Sequence, residues 1–299
     1  MQFQAVTQLQ LPQIQTLVFA GGGNRCWWQA AVVGDWMKRG WRLPPTLVGT
    51  SAGAAIAAAA LTSEGLQHAF EGCRRIFADN PRLLESRTVA THRWQFSHER
   101  IYPAWLASFV DDGTYEAVQK APQRLMVALT RPARALGLGG SVVAGTLAYL
   151  VDKFVWNRLH PRLPRMLGLR QEFLDLKQCS TLAEARKLLL AAAAAPPFMP
   201  AQEVAGGVAI DGGYLDSVAV PTQDEEARAS TLVLLTRHYP RLPVLFRHRE
   251  RHYMQPSQRV PVSTWDCTAA ATIHAAYDLG RLDVAQAMDH HLVTLDKGA

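Results

Sequence analysis

Five short, unbroken apolar runs constrain this chain more than any other feature: TLVFA (16–20), TLVG (46–49), LMVALT (125–130), GVAID (207–211) and TLVLLT (231–236). Runs of this length without polar alternation suit strands covered on both faces, as in a parallel sheet between helical layers. Between the runs the period changes to that of a helix. Leu66, Ala69, Phe70, Cys73, Ile76 and Phe77 make one apolar stripe, and Leu182, Ala185, Leu188 and Leu189 another. The second stripe begins at Thr181 with Glu184 three residues on, a capping box, and stops before Pro196 and Pro197. Alternation of this kind predicts a layered α/β fold with a largely parallel sheet. The chain contains no internal repeat and no Gly/Ser-rich or Pro-rich linker, so residues 1–299 are expected to form one domain.

Sites in such sheets gather at the carboxyl ends of strands, and there three of the runs give way to glycine. TLVFA leads into Gly21, Gly22, Gly23, Asn24 and Arg25; TLVG into Ser51 and Gly53; GVAID into Gly212 and Gly213. A serine exposed on a sharp strand-to-helix turn needs small neighbours two positions to either side, which Gly49 and Gly53 supply. The helix expected from Ala52 and Ala54 to Ala60 would aim its first N–H groups at Ser51. Three successive glycines let backbone N–H groups approach a reacting carbonyl, and donors aimed at a developing oxyanion are worth roughly 10²- to 10³-fold in rate each. Asp211, ending an apolar strand, would have its pKa raised by desolvation towards the range of a general base. Taken alone, each feature has a plainer reading: a glycine-rich turn at Ser51, a surface ion pair at Arg25, an Asp-Gly turn at Asp211. A phosphate-binding loop at Gly21, Gly22 and Gly23 lacks both the Gly-Lys-Ser/Thr ending and the GxGxxG spacing.

Together, GGGNR, GTSAG and DGG in this order resemble the patatin-like phospholipases, a family of serine lipid acyl hydrolases, over roughly residues 14–220. The resemblance implies a three-layer α/β/α fold and a catalytic dyad without histidine, with Ser51 as nucleophile and Asp211 as base. It implies an oxyanion loop of Gly21, Gly22, Gly23 and Arg25, a nucleophile elbow framed by Gly49 and Gly53, and Gly212 and Gly213 following the base. A phospholipid or another acyl ester is the implied substrate, with no cofactor. Two departures stand out. Where the family usually has glycine after the loop arginine, this chain has Cys26 followed by Trp27 and Trp28, and AAAAAPPFMPA ahead of Asp211 keeps the family's prolines without its glycine.

Two other readings compete. An α/β-hydrolase with a Ser/Asp/His triad would use His238, just after TLVLLT, but that fold places its oxyanion loop several elements before the nucleophile. Only 28 residues separate Gly23 from Ser51 here, room for one βα unit. A catalytically silent lipid-binding protein is the second reading, against which the intact Ser51 and Asp211 weigh. Cys26, Cys73, Cys179 and Cys267 form no CxxC or Cys/His cluster, so neither a disulfide framework nor a metal site is expected. Free thiols, and a beginning without a basic or apolar leader pattern, predict a cytoplasmic protein.

The net charge of +6 favours anionic surfaces, and residues 237–259 carry six arginines. No RNP, helix-turn-helix or zinc-finger pattern accompanies them, so nucleic acid is not an expected partner. Residues 135–151 are uncharged, with Arg131 and Arg134 before them and Asp152 and Lys153 after. At 17 residues the run is at the lower limit for a membrane span and is expected to be a buried core helix or a lid over the site. Gly140, Ala144 and Ala148 would form its packing face. An interfacial segment within 131–160 is the alternative, with Trp156 as its anchor and peripheral membrane contact as its consequence.

Overall fold

The structure, a computed structural model, describes residues 3–62, 64–87, 93–156 and 158–295. All five apolar runs form strands. In chain order the main ones are β1 (Thr16–Phe19), β2 (Thr46–Thr50), β3 (Arg124–Arg131), β4 (Arg170–Asp175), β5 (Gly207–Asp211), β6 (Thr231–Leu234), β7 (Leu245–His248) and β8 (Arg251–Met254). Strands β8, β6, β1, β2 and β3 lie side by side and parallel, and β7 folds back antiparallel on β8. Successive residues of the parallel strands feed opposite faces. Leu17, Phe19, Leu47 and Leu232 point into a large core, while Val18, Val48 and Val233 point into a smaller one.

The large core is covered by α1 (Cys26–Lys38), α2 (Ala52–Ala60), α3 (Gly65–Ala78) and α4 (His98–Ala107). Every residue of α2 is buried, as an alanine-rich helix that is apolar all round must be. In α3 the predicted stripe turns inward, with Ala69, Cys73 and Phe77 buried. Further along, α5 (Gly137–Leu150) runs on into a single π turn, Val151–Val155, and α6 (Leu163–Met166) packs against it. The next helix, α7 (Leu182–Ala192), starts at the predicted cap: Thr181 Oγ1 accepts from Glu184 N at 3.2 Å, and Glu184 Oε2 accepts from Ser180 N at 2.7 Å. The short α8 (Gly213–Asp216) follows β5 directly, and α9 (Ile273–Asp289) closes the large core against α1. There Gly280 is close enough to Trp28 that a Cβ would stand 2.5 Å from its carbonyl oxygen.

Two expectations are corrected. Residues 135–151 are not a buried core helix: only Ser141, Gly145 and Ala148 of α5 are buried, and Val143 and Leu147 face outward. Of the expected packing face Ala148 is buried, but Gly140 is exposed and Ala144 half-buried, and Ser141 and Gly145 pack inward in their place. Among the described residues no helix is long and apolar enough to cross a membrane.

Candidate active site

The second half of the site arrives from an unexpected direction. GVAID does not run parallel to its neighbours: β5 is antiparallel to β3, pairing Ile210 with Thr130 and Asp211 with Leu129. Strand β2 occupies the same edge of β3 just before it, ending with Thr50 opposite Ala128, while β4 takes the other edge. Thus β2 and β5 meet head to head along one side of β3, and their carboxyl ends converge. Ser51 and Asp211 lie 160 positions apart in sequence, yet Ser51 Oγ donates a 2.6 Å hydrogen bond to Asp211 Oδ2.

Each side chain is fixed by its backbone. Ser51 stands between β2 and α2 with φ 55° and ψ −137°, a left-handed conformation that a non-glycine residue holds only when its surroundings enforce it. Those surroundings are tight. A Cβ on Gly53 would come within 2.6 Å of the Phe19 carbonyl, and one on Gly49 would collide with Ala54. Asp211 N donates to Ala194 O at 2.8 Å and Gly212 N to Ala192 O at 3.4 Å, so the end of α7 holds this turn. Gly212 packs on the Ala128 carbonyl, and Gly213 N donates to Asp211 Oδ1 at 2.7 Å, leaving Oδ2 for the serine. Both Ser51 and Asp211 are buried, and burial pushes the Asp211 carboxyl up to about 6 although the bonds from Ser51 and Gly213 pull it down.

The glycine-rich loop crosses directly over the serine, since a Cβ on Gly21 would meet the Ser51 Cβ at 3.1 Å. Its three N–H groups are not equivalent. Gly21 N donates to Ser217 O at 2.7 Å and is spent there. The Gly21 carbonyl accepts from Thr236 Oγ1 at 2.7 Å, and in a trans peptide that turns the Gly22 N–H to the opposite side. The Gly22 carbonyl in turn accepts from Arg25 N at 3.2 Å and Arg25 Nε at 3.3 Å, which orients the Gly23 N–H likewise. Gly22 and Gly23 stand at the start of the 3₁₀ turn 23–25, where no earlier helical carbonyl is available to either N–H. Arg25 is half-buried beside this turn, within electrostatic reach of Tyr149, and desolvation lowers its pKa. Asn24, which the sequence does not single out, ties the loop to a distant segment through its Nδ2, donating to Ser263 O at 3.0 Å and to Asp266 O.

Beside Ser51 lies a pocket of about 650 Å³, including its open mouth, with a predominantly apolar wall that includes Trp27, Ile56, Phe77, Ile101, Trp105 and Met199. The departures after Arg25 thus have separate fates. Trp27 lines the pocket and meets the edge of Trp105 with ring centroids 5.7 Å apart, whereas Trp28 turns away and donates to the buried Asp283 at 2.7 Å. The Tyr102 hydroxyl also belongs to this wall. It is buried, within electrostatic reach of Asp211 and Cys26, and without a hydrogen-bond partner among the described residues. No signal in the sequence marks Tyr102, because it joins the site only through the packing of α4. His238, the rival triad histidine, meets the Pro256 carbonyl with its Nδ1 at 2.9 Å, and among the described residues no histidine hydrogen-bonds Ser51 or Asp211. His98 lines the pocket but faces Cys267, 3.9 Å from its sulfur. No group of three or more metal-ligating side chains occurs among the described residues.

The fold is similar to that of VipD from Legionella pneumophila, with a TM-score of 0.46 and 12% identity over 94% of this chain and 67% of VipD. No curated protein matches by sequence. The sequence profile of the patatin-like phospholipases matches residues 17–222, a span that opens with β1, contains the glycine-rich loop, Ser51 and Asp211, and closes just after α8. On that match this chain belongs to the patatin-like phospholipase family, whose members are lipid acyl hydrolases.

Proposed function

We propose that this chain hydrolyses the carboxylic esters of phospholipids or lysophospholipids, using Ser51 as nucleophile and Asp211 as general base. The observation that carries the reading is the 2.6 Å bond from the Ser51 hydroxyl to a buried carboxylate whose pKa stands near 6. A carboxylate so placed is ionised at neutral pH yet basic enough to accept a proton from an attacking hydroxyl. Asp211 takes the proton from Ser51 Oγ as the Oγ–acyl bond forms, and the N–H groups of Gly22 and Gly23 hold the oxyanion. Collapse breaks the ester C–O bond, and the proton passes from Asp211 to the leaving alkoxide. Water then gives a proton to Asp211 as it attacks the acyl-serine, the Oγ–acyl bond breaks, and Asp211 returns the proton to Ser51 Oγ as the fatty acid leaves. The apolar pocket takes the acyl chain, and the Tyr102 hydroxyl offers a hydrogen bond to a polar atom of the substrate.

Assay of a short-chain ester and of a panel of phospholipids, lysophospholipids and neutral esters tests this. Ser51→Ala should lose about 10⁴- to 10⁶-fold in turnover while remaining folded. Undiminished turnover by the pure variant would overturn the assignment.

A further inference from the structure

The side of the molecule next to Asp211 carries an apolar surface that the hydrolytic site does not use. Along α5 the outward residues Leu136, Gly140, Val143, Leu147 and Leu150 follow one another at three- and four-residue intervals, and Val151 and Val155 extend the stripe through the π turn. Val143 is 62% exposed, Leu147 60%, Val155 67% and Met166, on the adjoining α6, 79%. Single exposed apolar residues are ordinary on a protein surface, but a stripe of this length on two adjoining helices is not.

The exposed charges of residues 131–170 are positive. The stretch holds seven Lys and Arg and one acidic residue, Asp152, but Lys153 is buried and Arg131 pairs with Glu172 just beyond it, so the outward charge rests on the other arginines. Asp152 is buried and paired with Arg158 at 2.7 Å, and it also accepts from the Arg162 and Leu163 backbone, so it presents no negative charge outward. Arg134, Arg162, Arg165 and Arg170 are exposed, and the Arg158 guanidinium lies 4.4 Å from the Trp156 ring, itself half-exposed. An apolar stripe flanked by exposed arginines and an aromatic complements the boundary between acyl chains and anionic headgroups. The stripe also lies beside the site. The inner face of α5 meets α8, where Gly145 faces Tyr214 and the Tyr149 hydroxyl lies 3.0 Å from Ser217 Oγ, just beyond Asp211.

We infer that the outward face of α5, the π turn and α6 docks on the surface of an anionic phospholipid bilayer, placing Ser51 next to its substrate. The purpose rests on the lipid hydrolase reading above, but the binding is measured without turnover. The full chain is floated with vesicles of phosphatidylcholine and phosphatidylserine in equal parts, and with vesicles of phosphatidylcholine alone. The chain should bind the mixed vesicles more tightly and release them as salt rises. Val155→Asp and Met166→Asp, both exposed positions, should each weaken partition by about tenfold or more. Arg162→Ser and Arg165→Ser should each cost about fivefold on the mixed vesicles and little on the neutral ones. Leu282→Asp, an exposed apolar position on α9, should change nothing. All five variants should keep the wild-type melting temperature and hydrolyse a soluble short-chain ester at the wild-type rate, while the first four lose long-chain turnover on vesicles. The inference is overturned if the wild type fails to bind, if it prefers neither vesicle, or if the Val155 and Met166 variants bind undiminished. Self-association of the wild type that Met166→Asp abolishes, without vesicle binding, would overturn it in favour of a protein interface. Absence of ester hydrolysis in a wild type that binds vesicles would instead strike the catalytic reading and leave the docking surface standing.

Discussion

At the scale of the residue, the site turns on how Asp211 is buried. Its carboxyl ionises near 6 in the folded protein, against about 3.8 when exposed, so hydrolysis that needs the carboxylate should rise with pH through about 6 and level off above it. Stability should move the other way. Between these two values the folded chain holds the proton that the unfolded chain has released, so stability falls as pH rises through the window, and the cost is fully present above about 6. Asp211→Asn should therefore abolish most activity while raising stability at neutral pH by about 1–3 kcal/mol. Thermal melts at pH 8 and pH 4 check this, since the gain should vanish at the lower value. In the same assay His238→Ala should remain active. Thr236 acts one bond further out, through the Gly21 carbonyl and so through the Gly22 N–H. Thr236→Val should lower kcat about tenfold to a hundredfold with little change in KM, and Thr236→Ser should restore it.

At the scale of the element, the convergence of β2 and β5 on one edge of β3 brings Ser51 and Asp211 together. All five strands were legible as apolar runs, β1, β2, β3 and β6 because burial on both faces leaves little room for polar alternation, whereas Val208 of β5 stands exposed. The direction of β5 was not, since Val208, Ala209 and Ile210 suit either orientation and only the pairing with Leu129 and Thr130 decides it. The glycines were legible as a pattern, while their separate duties depend on contacts from far away: Thr236 behind Gly22, the Thr264 carbonyl at Gly23, Phe19 behind Gly53. Close approach predicts a contrast between two glycine substitutions. Gly53→Ala forces α2 away from β1 and should cost about 1–3 kcal/mol and displace Ser51, seen as a lower melting temperature and lower kcat. Gly139→Ala, on the open face of α5 with no atom within 4 Å of the added Cβ, should be neutral or stabilising by up to about 1 kcal/mol.

At the scale of the whole molecule, the chain divides its labour between the two faces of one sheet. The thicker helical layer holds the apolar pocket beside Ser51, and α5, α6 and the π turn lie next to α8 with their apolar residues turned outward. The three glycine motifs marked Ser51 and Asp211, which the fold brings together, but not the pocket. Tyr102 and His98 come from a stretch without any recognisable motif, and Trp265 lies beyond the family match. Such residues become neighbours only when helices pack, and nothing in their local sequence records it. The central claim, that Ser51 is a nucleophile activated by Asp211 alone, is tested most directly by reacting the intact protein with a fluorophosphonate and mapping the adduct by peptide mass. The account predicts a single adduct on Ser51, formed faster as pH rises through about 6 and lost in folded Asp211→Asn. An unlabelled Ser51 in folded wild-type protein, or an Asp211→Asn variant that labels at the wild-type rate, would contradict it.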